Sequence, residues 1–298
     1  MNRTIPALLA LCAGLATATA IAQEPEQQPE ITFKSTELTP GIFMVEGVGG
    51  FGGGNMAVLV GERYVAMIDD SMAPLAPTLL AHVTDTAGRP INFMVNTHVH
   101  GDHTGGNAHF AEAGTVVFAH DNIRKRLEAN PDAAGGPGGL PVVTFADGVT
   151  FHLDGIEARV IHQPDAHTDG DAIIHFPGAN VIHAGDIVFH DLFPFIDLNS
   201  GGTVQGFIAG QEAILALADD TTQIIPGHGQ LTNRAGVEED LAVLKAGYDK
   251  VRALVDQGMS EEDVVAANPL AEFDSRSWQF ITTERMTRTF FRDLTGDG

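Results

Sequence analysis

Residues 97 to 104 read Thr-His-Val-His-Gly-Asp-His-Thr, and no other stretch restricts this chain as strongly. His98, His100, Asp102 and His103 place four side chains with metal-ligand chemistry within six positions. Imidazole and carboxylate donors suit borderline and hard divalent cations. The preceding run, Ile91 to Asn96, is β-rich and reads as a buried strand. The stretch from Thr104 to about Ala113 can start a helix. The cluster therefore falls where a strand gives way to a helix, a place where several side chains can converge on one point.

Three later segments carry further ligands, each at a strand end or in a tight turn. Pro164 to Asp171 puts His167 in a loop between two strands. Ala184-Gly185-Asp186 follows the apolar Val181-Ile182, and Pro226-Gly227-His228-Gly229 follows Ile224-Ile225. Glycine at these turns lets backbone fold closely around a centre.

The set His98-x-His100-x-Asp102-His103, then His167, Asp186 and His228, resembles the metallo-β-lactamase superfamily over about Ile42 to Gly229. The resemblance implies an α/β fold, a four-layer αββα sandwich with metals at one edge between two sheets. It implies two Zn2+ per chain, the first on His98, His100 and His167, the second on Asp102, His103 and His228. Asp186 would bridge them, as in the glyoxalase II-like branch. The familiar lactamase branch has a cysteine where Asp186 stands and lacks a ligand at the position of His103. Two neighbouring cations acidify a shared water, which then attacks a carbonyl carbon or phosphorus. Asp102 would be catalytic as well as a ligand, holding and orienting that water.

The order of elements fits this picture: strands, helix, strand, helix, more strands, then a helical tail from Val237 to about Leu294. Residues 31–298 read as one domain with a helical extension from about 237. The literal GxGxxG from Gly47 to Gly52 is not a dinucleotide site, because strand-like Asn55 to Val60 follows it where a helix is required. It reads instead as a flexible hairpin tip with Phe51 as an apolar flap. Phe193 to Gly202 should wall the pocket, with Asn199 and Ser200 as donors to a substrate oxygen. Asp69 supports the metal loop or caps a helix, and Asp171 braces His167 or caps its turn. Of the remaining histidines His190 alone is placed to reach the site mouth. Trp278 and Phe280 read as core.

Residues 1–22 resemble a secretory signal: Arg3, an apolar run from Ile5 to Ala18, and small residues at Ala20 and Ala22. Residues 23–30 read as a disordered leader. The expected location is periplasmic or secreted, with no membrane insertion after cleavage. The one cysteine, Cys12, lies in that signal, so a thiolate ligand is excluded from the mature chain. A formal charge of -23 opposes nucleic-acid binding and favours a small-molecule substrate as partner. The leading expectation is hydrolysis of a small cyclic amide or ester, with β-lactams foremost. The alternatives are a lactonase or thioester hydrolase, and a non-catalytic periplasmic metal-binding protein. No Lys or Arg occurs between Arg159 and Arg234, and Phe189 stands near where lactamases carry a carboxylate-binding lysine. The sequence leaves the oligomeric state open.

Overall fold

The structure, a computed structural model, describes Met1 and residues 30–296. The signal and nearly all of the leader expected from sequence lie outside the described residues. Among the described residues no helix is long and apolar enough to cross a membrane.

The first half of the chain builds a seven-stranded sheet in sequence order. Its strands are β1 Thr32–Thr39, β2 Ile42–Val48, β3 Met56–Val60, β4 Val65–Ile68, β5 Phe93–Val95, β6 Val116–His120 and β7 Val143–Phe145. The first four run antiparallel, and β4 to β7 run parallel. The second half builds a six-stranded sheet, again from neighbours in sequence. It comprises β8 Gly148–Leu153, β9 Ile156–His162, β10 Ala172–Phe176, β11 Val181–His183, β12 Gln223–Ile225 and β13 Thr232–Asn233. Here only β11 and β12 are parallel.

Side chains alternate across each strand, and this sorts the core into layers. Ile42, Met44, Ala57, Leu59 and Ile68 of the first sheet meet Ala158, Val160, Ile174, Phe176 and Val181 of the second. On the opposite face, Val45, Met56, Val58 and Met67 pack against Leu79 and Val83 of α1 Ala76–Ala87 and Phe110 of α3 Asn107–Glu112. The short α2 Gly101–Thr104 carries the metal motif, and α4 Asp121–Ala129 follows β6. Ile173, Ile182 and Ile224 face Ile214 of α5 Val204–Leu217 and Val237 of α6 Arg234–Val255. Two sheets buried face to face, each with helices outside, make the four-layer αββα sandwich expected from sequence.

The helical tail is α6, α7 Glu261–Ala267 and α8 Thr283–Thr295, with a 3-10 segment at Ala271–Arg276. Its core joins Leu244, Tyr248 and Val251 to Phe290 and Met286, and reaches Phe189, Phe193 and Phe207 beside the site. The tail is thus continuous with the wall of the cleft.

Candidate metal centre

Both sheets deliver their ligands at the same edge, because parallel strands all present their carboxyl ends there. Asp69 follows β4, His98 follows β5, Asp186 follows β11 and His228 follows β12. His167 precedes β10, which runs antiparallel to β11 and so starts at that edge. His100, Asp102 and His103 come from the turn into α2.

The seven residues singled out in the sequence fall into two groups whose donor atoms lie within 4.8 Å of one another. His98, His100, His167 and Asp186 form one, and Asp102, His103 and His228 the other. Asp186 lies between them. Its carboxylate is 3.1 Å from His103 Nε2, 3.4 Å from His228 Nε2, 3.5 Å from His167 Nε2 and 3.6 Å from His98 Nε2. Buried polar atoms are almost always paired. Yet His98 Nε2, His103 Nε2 and Asp186 Oδ1 are buried without a properly oriented hydrogen bond. Unpaired nitrogen and carboxylate donors converging at this spacing fit a pair of divalent cations.

A second layer fixes how each imidazole points. His103 Nδ1 lies 2.7 Å from Asp69 Oδ2, and His167 Nδ1 donates to the carbonyl of Phe195 at 2.6 Å. His100 Nε2 lies 3.0 Å from Asp197 Oδ2, and His98 Nδ1 is 3.0 Å from Thr97 Oγ1. Such partners hold a ring so that its other nitrogen faces the metal. Asp69 is fully buried and also accepts from Thr97 N and Oγ1, so it supports the metal loop rather than capping a helix. Asp171 accepts from Thr168 N and Oγ1, and burial pushes its carboxyl up to about 8. Asp197 was not singled out by sequence reasoning; its position just after Phe195, at the start of a 3-10 turn, was the available signal.

Backbone packs tightly against this cluster. A Cβ on Gly54 would strike the His103 ring, and one on Gly227 would strike Asp186 Oδ1.

Electrostatics divide the imidazoles. Burial and the neighbouring His100 hold His167 down to about 3, and burial with His103 likewise keeps His98 neutral. His228 is pushed up to about 9: burial opposes the charge, but Asp186 and Asp102 outweigh it. Against the same burial, Asp186, Asp102 and Asp69 raise His103 well above its ordinary value. Cation binding requires neutral imidazoles, so these two protons must leave. Loading zinc near pH ~7 is expected to release about two protons per chain, measurable by calorimetry in buffers of differing ionisation heat. The same raised pKa values act on the metal-free fold. Their stabilisation is complete below the unfolded value of 6.5 and, for His228, fades as pH rises through about 9.

Above the cluster opens a cleft of about 740 Å³, with His100, Asp102, Asp186 and His228 as its floor. Its walls are aromatic: Phe51, Phe189, Phe195, Trp278 and Phe280. Phe51 is 52% exposed and stacks on His228 with ring centres 5.9 Å apart. Its loop is tied at the base, where Ser71 Oγ donates to Gly52 O at 2.5 Å and Asn55 N to Gly227 O at 2.7 Å. These ties hold the base of the loop beside the site, and Phe51 lies against His228.

The sequence reading put Trp278 and Phe280 in the core; Trp278 does pack against the core of the tail while also lining the cleft, whereas Phe280 is exposed at the cleft and corrects that reading. The chain after Arg276 runs beside Phe193, with Phe193 N donating to Arg276 O and Trp278 Nε1 donating to Phe193 O at 2.9 Å. That crossing turns both rings to the cleft, and Phe280 is 44% exposed. Asn199 and Ser200 are not among the residues lining this cleft. They sit in a 3-10 turn capped by Asp197, and Asn199 lines a separate cavity with Arg285 and Arg292. His190 does not reach the mouth: its ring turns to Asp240 at 2.9 Å.

The family profile described as Metallo-beta-lactamase superfamily matches residues 49–228. The 2,4-dinitroanisole O-demethylase subunit alpha of a Nocardioides species is 26% identical over 174 residues, which cover 56% of this chain and 51% of that protein. A hydroxyacylglutathione hydrolase of Gloeobacter violaceus is 33% identical over 139 residues, 43% of this chain and 50% of that one. The chain thus spans about half the length of these curated relatives. Among solved structures, a metallo-beta-lactamase family protein from Thermus thermophilus has the same fold, with a TM-score of 0.65 at 19% identity, covering 88% of this chain and 95% of that one.

Proposed function

Because the chain belongs to the metallo-beta-lactamase superfamily, we propose that it is a metal-dependent hydrolase that cleaves a carboxylic ester or thioester with water activated at a two-zinc centre. The observation that carries this reading is Asp186, a carboxylate that belongs to the first donor group and lies within 3.4 Å of His103 and His228 of the second. When bound there, a cation pair lowers the pKa of a shared water from about 16 towards neutrality.

The protein's own groups do the rest. Asp102 lies on the cleft floor, with Oδ2 3.3 Å from His228 Nε2 and its side chain 22% exposed. It is held below the ordinary carboxylate range: burial opposes the charge, but His103 and His228 outweigh it. An ionised Asp102 orients the attacking water, accepts its proton and passes it to the departing alkoxide or thiolate. The aromatic walls exclude competing water and hold the acyl group over the floor.

The relative named hydroxyacylglutathione hydrolase supports a thioester or ester over an amide. A second reading, β-lactam hydrolysis, is favoured by the Phe51 loop lying over the centre. The test is steady-state turnover of 4-nitrophenyl esters, thioesters and a chromogenic β-lactam by zinc-loaded protein. Ester or thioester turnover should dominate, and Asp102→Asn should lower kcat by about 10²–10⁴-fold. Turnover of the β-lactam alone would transfer the assignment to the second reading.

A further inference from the structure

The walls of the cleft bear on what it admits. Among the described residues lining it there is no Lys or Arg. Arg285 sits behind the aromatic layer. Its guanidinium is 3.9 Å from the Phe280 ring centre and 5.3 Å from that of Phe195, and Nη1 donates to Phe280 O. It is therefore engaged by two ring faces, and it lines the neighbouring cavity instead. Phe189 lines the cleft, and its ring stacks on His228 at 5.0 Å.

Carboxylates crowd the imidazoles of the floor. Asp102 and Asp186 reach the cluster directly, while Asp69 and Asp197 pair with the outer nitrogens of His103 and His100. An anionic group held against these walls would lose its hydration without gaining a charged side-chain partner there, which is costly. An aromatic group would gain edge and face contacts on several sides. Phe280 and Phe195 already meet edge-on at 5.3 Å, and Trp278 lies 5.6 Å from Phe280.

We propose that the tail segment Trp278-Gln279-Phe280, facing Phe51 across the cleft, selects uncharged substrates with an aromatic or bulky apolar group and rejects those carrying a carboxylate or other anion near the scissile bond. This names the substrate class of the hydrolase proposed above and rests on that reading for the reaction, but not for the binding.

The chain's single tryptophan is Trp278, so the wall carries its own reporter. The probes are N-phenyl-1-naphthylamine and 8-anilinonaphthalene-1-sulfonate, which share an aromatic body and differ by one sulfonate. Both are titrated against zinc-loaded protein, with energy transfer from Trp278 as readout. The uncharged dye should bind at least about tenfold more tightly, with its transfer signal lost in Trp278→Phe. Phe280→Ala, at a partly exposed position, should weaken it by about tenfold with metal content unchanged. Equal or tighter binding of the sulfonate, or no effect of Phe280→Ala, would overturn the proposal. A matched ester pair separates the two claims: 4-nitrophenyl 3-phenylpropionate should exceed 4-nitrophenyl hydrogen succinate in kcat/KM. A protein that discriminates between the dyes but cleaves neither ester keeps the ligand class and loses the reaction.

Discussion

Asp186→Ala is expected to abolish the paired centre. This carboxylate lies within 3.6 Å of a ring nitrogen on each of His98, His103, His167 and His228, so its removal takes a member from the first donor group and the bridging neighbour from the second. Losing an outer partner of a metal ligand typically costs 10–100-fold, and loss of a shared ligand should exceed about 100-fold in turnover. The metal-free fold should suffer too. His103 and His228 hold their protons against Asp186, and stranding a buried charge costs about 3–5 kcal/mol. Metal analysis should show bound zinc falling to one ion or fewer per chain, and thermal melting without metal should show a lower midpoint. Retention of full metal content and activity would remove Asp186 from the centre.

The second large effect concerns Asp69, which sits with φ of 61°, a left-handed conformation uncommon outside glycine. It accepts from Thr97 N, Thr97 Oγ1 and His103 Nδ1, all in a fully buried position. Asp69→Ala leaves these donors unpaired and should cost about 3–5 kcal/mol, a fall in Tm of roughly 10 °C for a domain of this size. Asp69→Asn separates structure from function. The amide oxygen still serves Thr97 N, so the fold should largely survive. Its NH2 then faces His103 Nδ1, which must become an acceptor, and the ring proton moves to Nε2. That nitrogen can no longer bind a cation, so affinity for the second zinc should drop about 10–100-fold while Tm changes little. Calorimetric zinc titration read beside melting curves checks both variants; equal losses in the two would contradict the tautomer argument.

The order of strands and helices and the polar turns that hold the seven candidate ligands could be read from the chain because local rules govern them, while the two-sheet fold and the grouping of the seven came from the family resemblance. The candidate ligands lie in the turns at the ends of apolar strands, or in the turn from β5 into α2, and parallel strands bring their carboxyl ends to one edge. Strand-like Asn55 to Val60 likewise settled that the glycine run is a hairpin tip over the site. What stayed hidden depended on contacts far apart in sequence. Trp278 lies 85 positions from Phe193, whose carbonyl accepts its ring N–H, and nothing near Trp278 signals that crossing. Asp197 pairs with His100 across 97 positions. Asn199 and Ser200 had the right chemistry and followed Phe195 closely, but the turn capped by Asp197 carries Asn199 to the neighbouring cavity. The cation-free lining was half visible, in the absence of Lys or Arg between Arg159 and Arg234. The other half is the placement of Arg285 behind Phe280.

Elemental analysis of the purified, active protein, paired with an ester-hydrolysis assay before and after chelation, bears on the centre most directly. Close to two zinc ions per chain should be found, with hydrolysis lost on their removal and restored by their return. Undiminished hydrolysis by metal-free protein would contradict it.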